Sequence, residues 1–185
     1  MNQPASSAPP TAQPPTFANQ QQLNQAVALV NLQRRVKSGA SNFYFIAGLS
    51  VVNSLISAFN GGLTFVIGLA ITQLVDGFAL GISQTAPDIA MIVKVVGLAL
   101  SIVISGIVAI FGYFAGKGHR WAFLTGMILY GLDALIMLAF GDWLAFAFHL
   151  FFLWGLFAGL QALNKLQKLA PAPAISDFPR DIGVS

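Results

Sequence analysis

The sequence predicts an all-α fold, a bundle of about five membrane-embedded helices, and three observations carry that prediction. Hydrophobic residues make up 56% of the chain and charged residues only 8%, whereas a soluble domain needs about 25% charge to face water. The apolar residues gather into runs close to the ~20 residues that cross ~30 Å of hydrocarbon as a helix. Two of these runs, 121–140 and 143–163, are joined only by Gly141-Asp142, which leaves room for nothing but a tight helical hairpin.

Composition also excludes chemistry. The chain has no Cys, which removes disulfides, thiolate zinc sites and Cys nucleophiles. The net charge of +3 sits mainly in short clusters beside apolar runs. That placement suits orientation in a bilayer, not the basic stripe on a folded face that binds nucleic acid. The expected partner is therefore the lipid bilayer, with a membrane protein or a second copy as a further possibility and no nucleic acid.

In chain order, residues 1–22 are rich in Pro, Gln, Ala and Ser and carry no charge. Such a tail has too little apolar surface to offset its ordering entropy, and disorder is expected. No basic residue and early apolar core mark it as a signal peptide. Residues 23–40 read as a juxtamembrane amphipathic basic helix. Leu23, Val27 and Val30 share one face, Arg34, Arg35 and Lys37 close the end, and Ser38-Gly39 is expected to break it. Such a helix would lie along the headgroups with its cations near anionic lipid; a plain linker is the alternative.

The membrane bundle is expected over 41–164. Its first two runs, 43–59 and 63–82, are split by Asn60-Gly61-Gly62 and are the weaker ones, since they contain Ser50, Asn53, Ser54 and Ser57, then Thr72, Gln73 and Asp76. Pro87 suits the start of the next helix. That helix, 89–115, is the longest and is interrupted only by Lys94, which can snorkel to the interface. Gly97, Ser101, Ser105 and Ala109 recur along it every four residues, a small-residue face that lets a neighbouring helix approach closely in lipid. The hairpin 121–140 and 143–163 completes the bundle, and 165–185 is a polar tail rich in Pro and Ala.

Phe45-Ile-Ala-Gly48 with Asn53-Ser-Leu-Ile56 and a Gly-Gly turn parallels Phe123-Leu-Thr-Gly126 with Asp133-Ala-Leu-Ile136 and Gly141-Asp142, which hints at a duplicated hairpin. Orientation stays open. Five crossings place Arg34, Arg35 and Lys37 opposite Lys117, Arg120, Lys165 and Lys168, and the charge rule decides nothing. Four crossings gather all seven on one side but require a re-entrant early helix, tolerable only under a cover of protein. Five embedded helices with a cytoplasmic amino-terminal tail are expected, and a cytoplasmic carboxyl tail is slightly favoured.

Recognisable catalytic patterns are missing. The histidines are His119 and His149, with no His-x-x-x-His or Cys pair, so neither a metal site nor another cofactor is expected. Ser105-Gly106 lacks the Gly two residues before the Ser that a rhomboid-type motif needs, and no phosphate-binding or dinucleotide fingerprint occurs. No enzyme activity is expected.

The segments Gly112-Tyr-Phe-Ala-Gly-Lys-Gly-His-Arg-Trp-Ala-Phe123, Leu129-Tyr-Gly-Leu-Asp-Ala-Leu135 and Asp142-Trp with Phe148-His149 resemble uncharacterised small polytopic membrane proteins of bacteria, over residues 34–163. The resemblance implies a bacterial inner-membrane address. It brings no activity and no functional residue with it.

Two functional classes follow. One is a small transport or proton-responsive module built on the intramembrane polar residues Asn53, Gln73, Asp76, Asp133 and His149, since ionisable groups are costly in lipid. The other is a structural or regulatory partner that packs on another membrane protein through the Gly97–Ala109 face. Within the first class, Asp133 and His149 both lie roughly 11–13 Å from the Gly141-Asp142 turn at about 1.5 Å per residue, so they share a depth and are expected to meet. Where the side chains also point at each other, the carboxylate favours the imidazolium, giving a site able to exchange a proton near neutral pH; the alternative is a neutral His, hydrogen-bonded and inert, that holds the hairpin together. Asp76, counted from Gly61-Gly62, falls roughly 21 Å along its helix, near the far interface, where it is expected to reach water.

Overall fold

In the computed structural model, which describes residues 17–59 and 68–169, the amphipathic segment and the first apolar run form one helix. This α1 (Phe17–Ala58) is followed by α2 (Ala70–Thr85), a 3₁₀ turn (Pro87–Ile89), α3 (Ala90–Gly116), α4 (Arg120–Ala139) and α5 (Trp143–Leu169). No strand occurs among the described residues. Four of the five helices are long and apolar enough to cross a membrane, and α2 is not one of them. The expected disorder of 1–16, the loop Asn60-Gly61-Gly62, the start of the run at 63 and the tail from 170 lie outside the described residues.

Two expectations for α1 are corrected. The helix begins at Phe17, inside the tail read as disordered, and Ser38-Gly39 does not break it. Ser41 Oγ donates back to the Ser38 carbonyl at 2.7 Å, so both residues stay within the helix. Gly39 serves a crossing: it lies against Gly159 of α5, whose own added Cβ would stand 2.7 Å from the Gly39 Cα. Only two glycines let the backbones approach this far. The amphipathic part thus continues from a crossing helix and does not lie separately along the headgroups. Leu23, Val27 and Val30 remain exposed on it.

Contacts between elements set their directions. Ser54 of α1 meets Asp76 of α2, and Ser50 meets Leu69 just before it, so α1 and α2 run the same way. The suggested duplicated hairpin is therefore corrected, because α4 and α5 are antiparallel about Gly141 (φ +74°) while α1 and α2 are not. α3 runs opposite to both: Gly97 packs on Ala79, Ser101 meets Asp76, and Gly112 packs on Phe43 and Ala40. Ala58 and Thr85 consequently leave the bundle at one end. At the other end Gly116 approaches Ala40, Leu163 covers Gly118, and Gln167 Nε2 donates to the Gly118 carbonyl at 3.3 Å. Arg34, Arg35, Lys37, Lys117, Arg120, Lys165 and Lys168 all cluster around that end.

Phe43 anchors the interior, tilted against Phe111 and Phe123 with ring centroids 6.4 and 6.2 Å away. Ile46, Leu156 and Leu163 close the same core. The outer faces are apolar as well: Val95, Val103, Ile110, Leu132, Leu135, Phe151 and Trp154 are exposed. A helix hydrophobic all round is at home in a membrane, where lipid takes the outer face.

Candidate functional site

The site is assembled around the start of α2. The first N–H groups of any helix lack partners within it. Here the residue before the helix is Leu69, whose side chain offers no cap. The partners come from other helices. Ser50 Oγ on α1 accepts from Leu69 N–H at 2.7 Å while donating to the Ile46 carbonyl at 2.8 Å. Asp133 on α4 accepts from Ala70 N–H through Oδ2 at 2.8 Å and from Ile71 N–H through Oδ1 at 2.9 Å. Ser50 is ten residues above Ala40, so α2 begins about 15 Å inside the bundle.

His149 completes the unit. Its Nε2 lies 3.1 Å from Asp133 Oδ2, and its Nδ1 lies 2.7 Å from the Ala145 carbonyl. The expected meeting of Asp133 and His149 is found. A carbonyl oxygen only accepts, so Nδ1 carries a proton in either charge state of the ring. The proton between Nε2 and Oδ2 is then the variable one. Two backbone N–H donors converge on Asp133, an arrangement suited to a carboxylate. The His149 ring is fully buried and stacks on Tyr130 at 4.6 Å, 21° from parallel.

Tyr130, which stacks on His149, is a neighbour of the pair that the sequence reading did not name, and Ser50 was noted there only as a polar residue of the first run. Tyr130 precedes Asp133 by three residues and so shares its helix face, a signal hidden in an apolar run. Its buried hydroxyl has no hydrogen-bond partner among the described residues. Beside it an apolar cleft of about 280 Å³ opens between α3 and α4, with Asp133 in its wall.

The other candidates do not all converge. Asn53 is buried on α1 with its Nδ2 close to Gly68, just before α2. Gln73 is half-buried and lies in a shallow groove with Leu74 and Phe140, away from the pair. Asp76 is corrected: it does not reach water but is only 8% exposed, accepting from Ser54 Oγ at 2.6 Å and Ser101 Oγ at 2.9 Å. The count that placed it near the interface began at Gly61. The helix begins at Ala70, which leaves Asp76 about 9 Å along it.

The small-residue face is corrected as a docking surface. Gly97, Ser101 and Ser105 are buried, and Ala109 half-buried, within this chain. A Cβ added at Gly97 would stand 2.8 Å from that of Ala79. α2 occupies the close approach that the face provides, so another protein cannot take it. Among the described residues no group of three or more His, Cys, Asp or Glu is placed to hold a metal ion. No known protein family, characterised protein or solved structure matches the chain.

Proposed function

We propose that the chain is a non-enzymatic, proton-responsive transport module of a bacterial inner membrane. One observation carries the reading: a helix that starts within the bundle is capped by a buried carboxyl group in contact with a buried histidine. With the proton in place, the Asp133–His149 pair is neutral overall. Its loss leaves a net negative charge in a low-dielectric interior, which is expensive. Either another cation must enter or the start of α2 must move away. Both couple a proton to movement within the membrane, and half-helix ends at membrane depth serve ions in this way in transporters.

The bacterial inner-membrane address is supported by the resemblance over 34–163. Seven of the eight Lys and Arg among the described residues lie at one end of the bundle, with Lys94 towards the other, and this supports a cytoplasmic position for that end and for both tails, since Lys and Arg are retained on the cytoplasmic side. A fluorescent reporter fused after Lys168 will fold and fluoresce, while alkaline phosphatase at the same place will be inactive. Active phosphatase there would overturn the orientation.

Function is tested on the purified full-length protein in liposomes holding a pH-sensitive dye, with the membrane potential clamped. A pH jump will move protons faster than in empty liposomes. His149→Phe keeps a ring against Tyr130 but removes the exchangeable proton, and it will return the rate to that of empty liposomes. Equal rates with the two proteins would overturn the reading.

A further inference from the structure

Two of the cations at the end of the bundle also line a hollow. It holds about 370 Å³ between the start of α4 and the last turns of α5, and its walls are Arg120, Asn164, Gln167 and Lys168. The sequence brings these four together in two steps. Asn164, Gln167 and Lys168 are spaced three and four apart and so share one face of α5. The α3–α4 turn is then pinned to those turns of α5. It closes at Gly118 (φ +88°), where an added Cβ would touch Leu163, and the Gly118 carbonyl accepts from Gln167 Nε2 at 3.3 Å. Arg120, the first residue of α4, consequently stands beside the end of α5.

Depth follows from the same sequence. Arg120 comes directly before the apolar run 121–140, and Asn164 directly after the run 143–163. The hollow therefore lies where hydrocarbon ends and headgroups begin. One turn into the membrane from Arg120 stands Leu124, and two turns in from Asn164 stands Phe157, both exposed. The chemistry of the walls is one-sided. Arg120 and Lys168 have no ion-pair partner among the described residues. Of the described carboxyl groups, Asp76 and Asp133 are buried within the bundle, and Asp88 and Asp142 stand at its opposite end. Lys117, close by in the chain, is engaged elsewhere, over the Tyr113 ring at 4.3 Å. Asn164 buries its side-chain oxygen, which leaves its amide N–H groups to face a ligand. His119 gives α4 no side-chain cap, so the positive end of that helix adds to the field.

We infer that the hollow binds the phosphate of an anionic phospholipid, one whose headgroup carries a net negative charge as in phosphatidylglycerol. A guanidinium matches a phosphate with two parallel hydrogen bonds, and an ammonium adds a point charge. A zwitterionic headgroup would bring a further cation to walls that already hold two. Basic pockets between membrane helices take anionic headgroups for these reasons. A free phosphate offers the same charge, but the exposed apolar turns of Leu124 and Phe157 provide a surface for acyl chains and favour the lipid. The bound headgroup ties the end of α5 to the start of α4. The inference goes beyond the proton reading and stands without it.

Thermal unfolding of the full-length protein in an uncharged detergent tests it, with short-chain phosphatidylglycerol titrated in. The melting temperature will rise saturably, by roughly 3–6 °C once the lipid exceeds its half-saturating concentration about tenfold. Arg120→Gln and Lys168→Gln will each shift half-saturation about fivefold to higher lipid, the loss of one cation near a phosphate, and together about 25-fold. Both side chains are exposed, so the variants will fold. Arg34→Gln with Arg35→Gln removes two charges from α1, outside the hollow, and will leave half-saturation within about twofold of the wild type. An equal shift with the α1 pair would reduce the effect to diffuse attraction and overturn the site. The same rise with phosphatidylcholine of equal chain length, or with inorganic phosphate alone, would overturn the anionic lipid as its occupant. No rise at all, the result if Asp177 and Asp181 of the following tail neutralise the two cations, would overturn it as well.

Discussion

Replacing Asp133 with alanine will destabilise the protein by at least ~3 kcal/mol, the usual cost of breaking a buried pair by removing one partner. The loss has two parts. His149 keeps its proton donor with nothing to receive it, and the Ala70 and Ile71 N–H groups lose their acceptors, at about 1–3 kcal/mol for each buried group left unmatched. The parts share one carboxylate and will not add in full. At about 2–4 °C per kcal/mol for a chain of this size, the melting temperature will fall by more than about 6 °C. Asp133→Asn keeps a carbonyl oxygen for one N–H of α2 and will lose about half as much. Gln73→Ala, away from the pair, will change stability by less than about 0.5 kcal/mol. Scanning fluorimetry of the three variants in one detergent checks the order, and an Asp133→Ala protein as stable as Gln73→Ala would remove Asp133 as the cap of α2.

The second large effect concerns Gly39, where two views of α1 predict opposite signs. If Ser38-Gly39 separated a surface helix from a membrane span, Gly39→Ala would strengthen the helix by about 1 kcal/mol. The structure places the backbone of Gly159 where the new methyl group would go. Helix backbones cannot yield as a flexible side chain can, so Gly39→Ala will destabilise by about 1–3 kcal/mol. Gly39→Leu will prevent α1 and α5 from closing and will not accumulate as folded protein. Gly81, where an added Cβ meets nothing within 4 Å, is the control, and Gly81→Ala will not destabilise. Melting temperatures of Gly39→Ala and Gly81→Ala decide between the two signs, and the yield of folded Gly39→Leu checks the closure of α1 on α5.

The sequence by itself determined those features that local counting can reach. The apolar runs gave α3, α4 and α5 to within a few residues at their starts, because burial in lipid is decided by the hydrophobicity of a run of residues. The two-residue link at Gly141-Asp142 gave the hairpin, and a fixed rise per residue put Asp133 and His149 at one depth. Counting could not supply rotation, and packing did: Tyr130 and Ala145 hold the imidazole so that Nε2 meets the carboxylate.

Tertiary structure decided where α2 begins. Leu69 and its neighbours hold no local cap, and the carboxylate that receives the first N–H groups lies 63 positions later in the chain. A helix end satisfied from that distance leaves no mark in its own segment, and the count to Asp76 therefore started from the wrong place. Gly39 misled for a related reason. A glycine in a helix reads as a break when its neighbours in sequence are considered, and as a contact once Gly159 stands against it. The small-residue face was legible as a site of close helix approach, but its partner was not, because any helix in reach could fill it. The folded chain fills it with α2, placing Asp76 between the hydroxyls of α1 and α3.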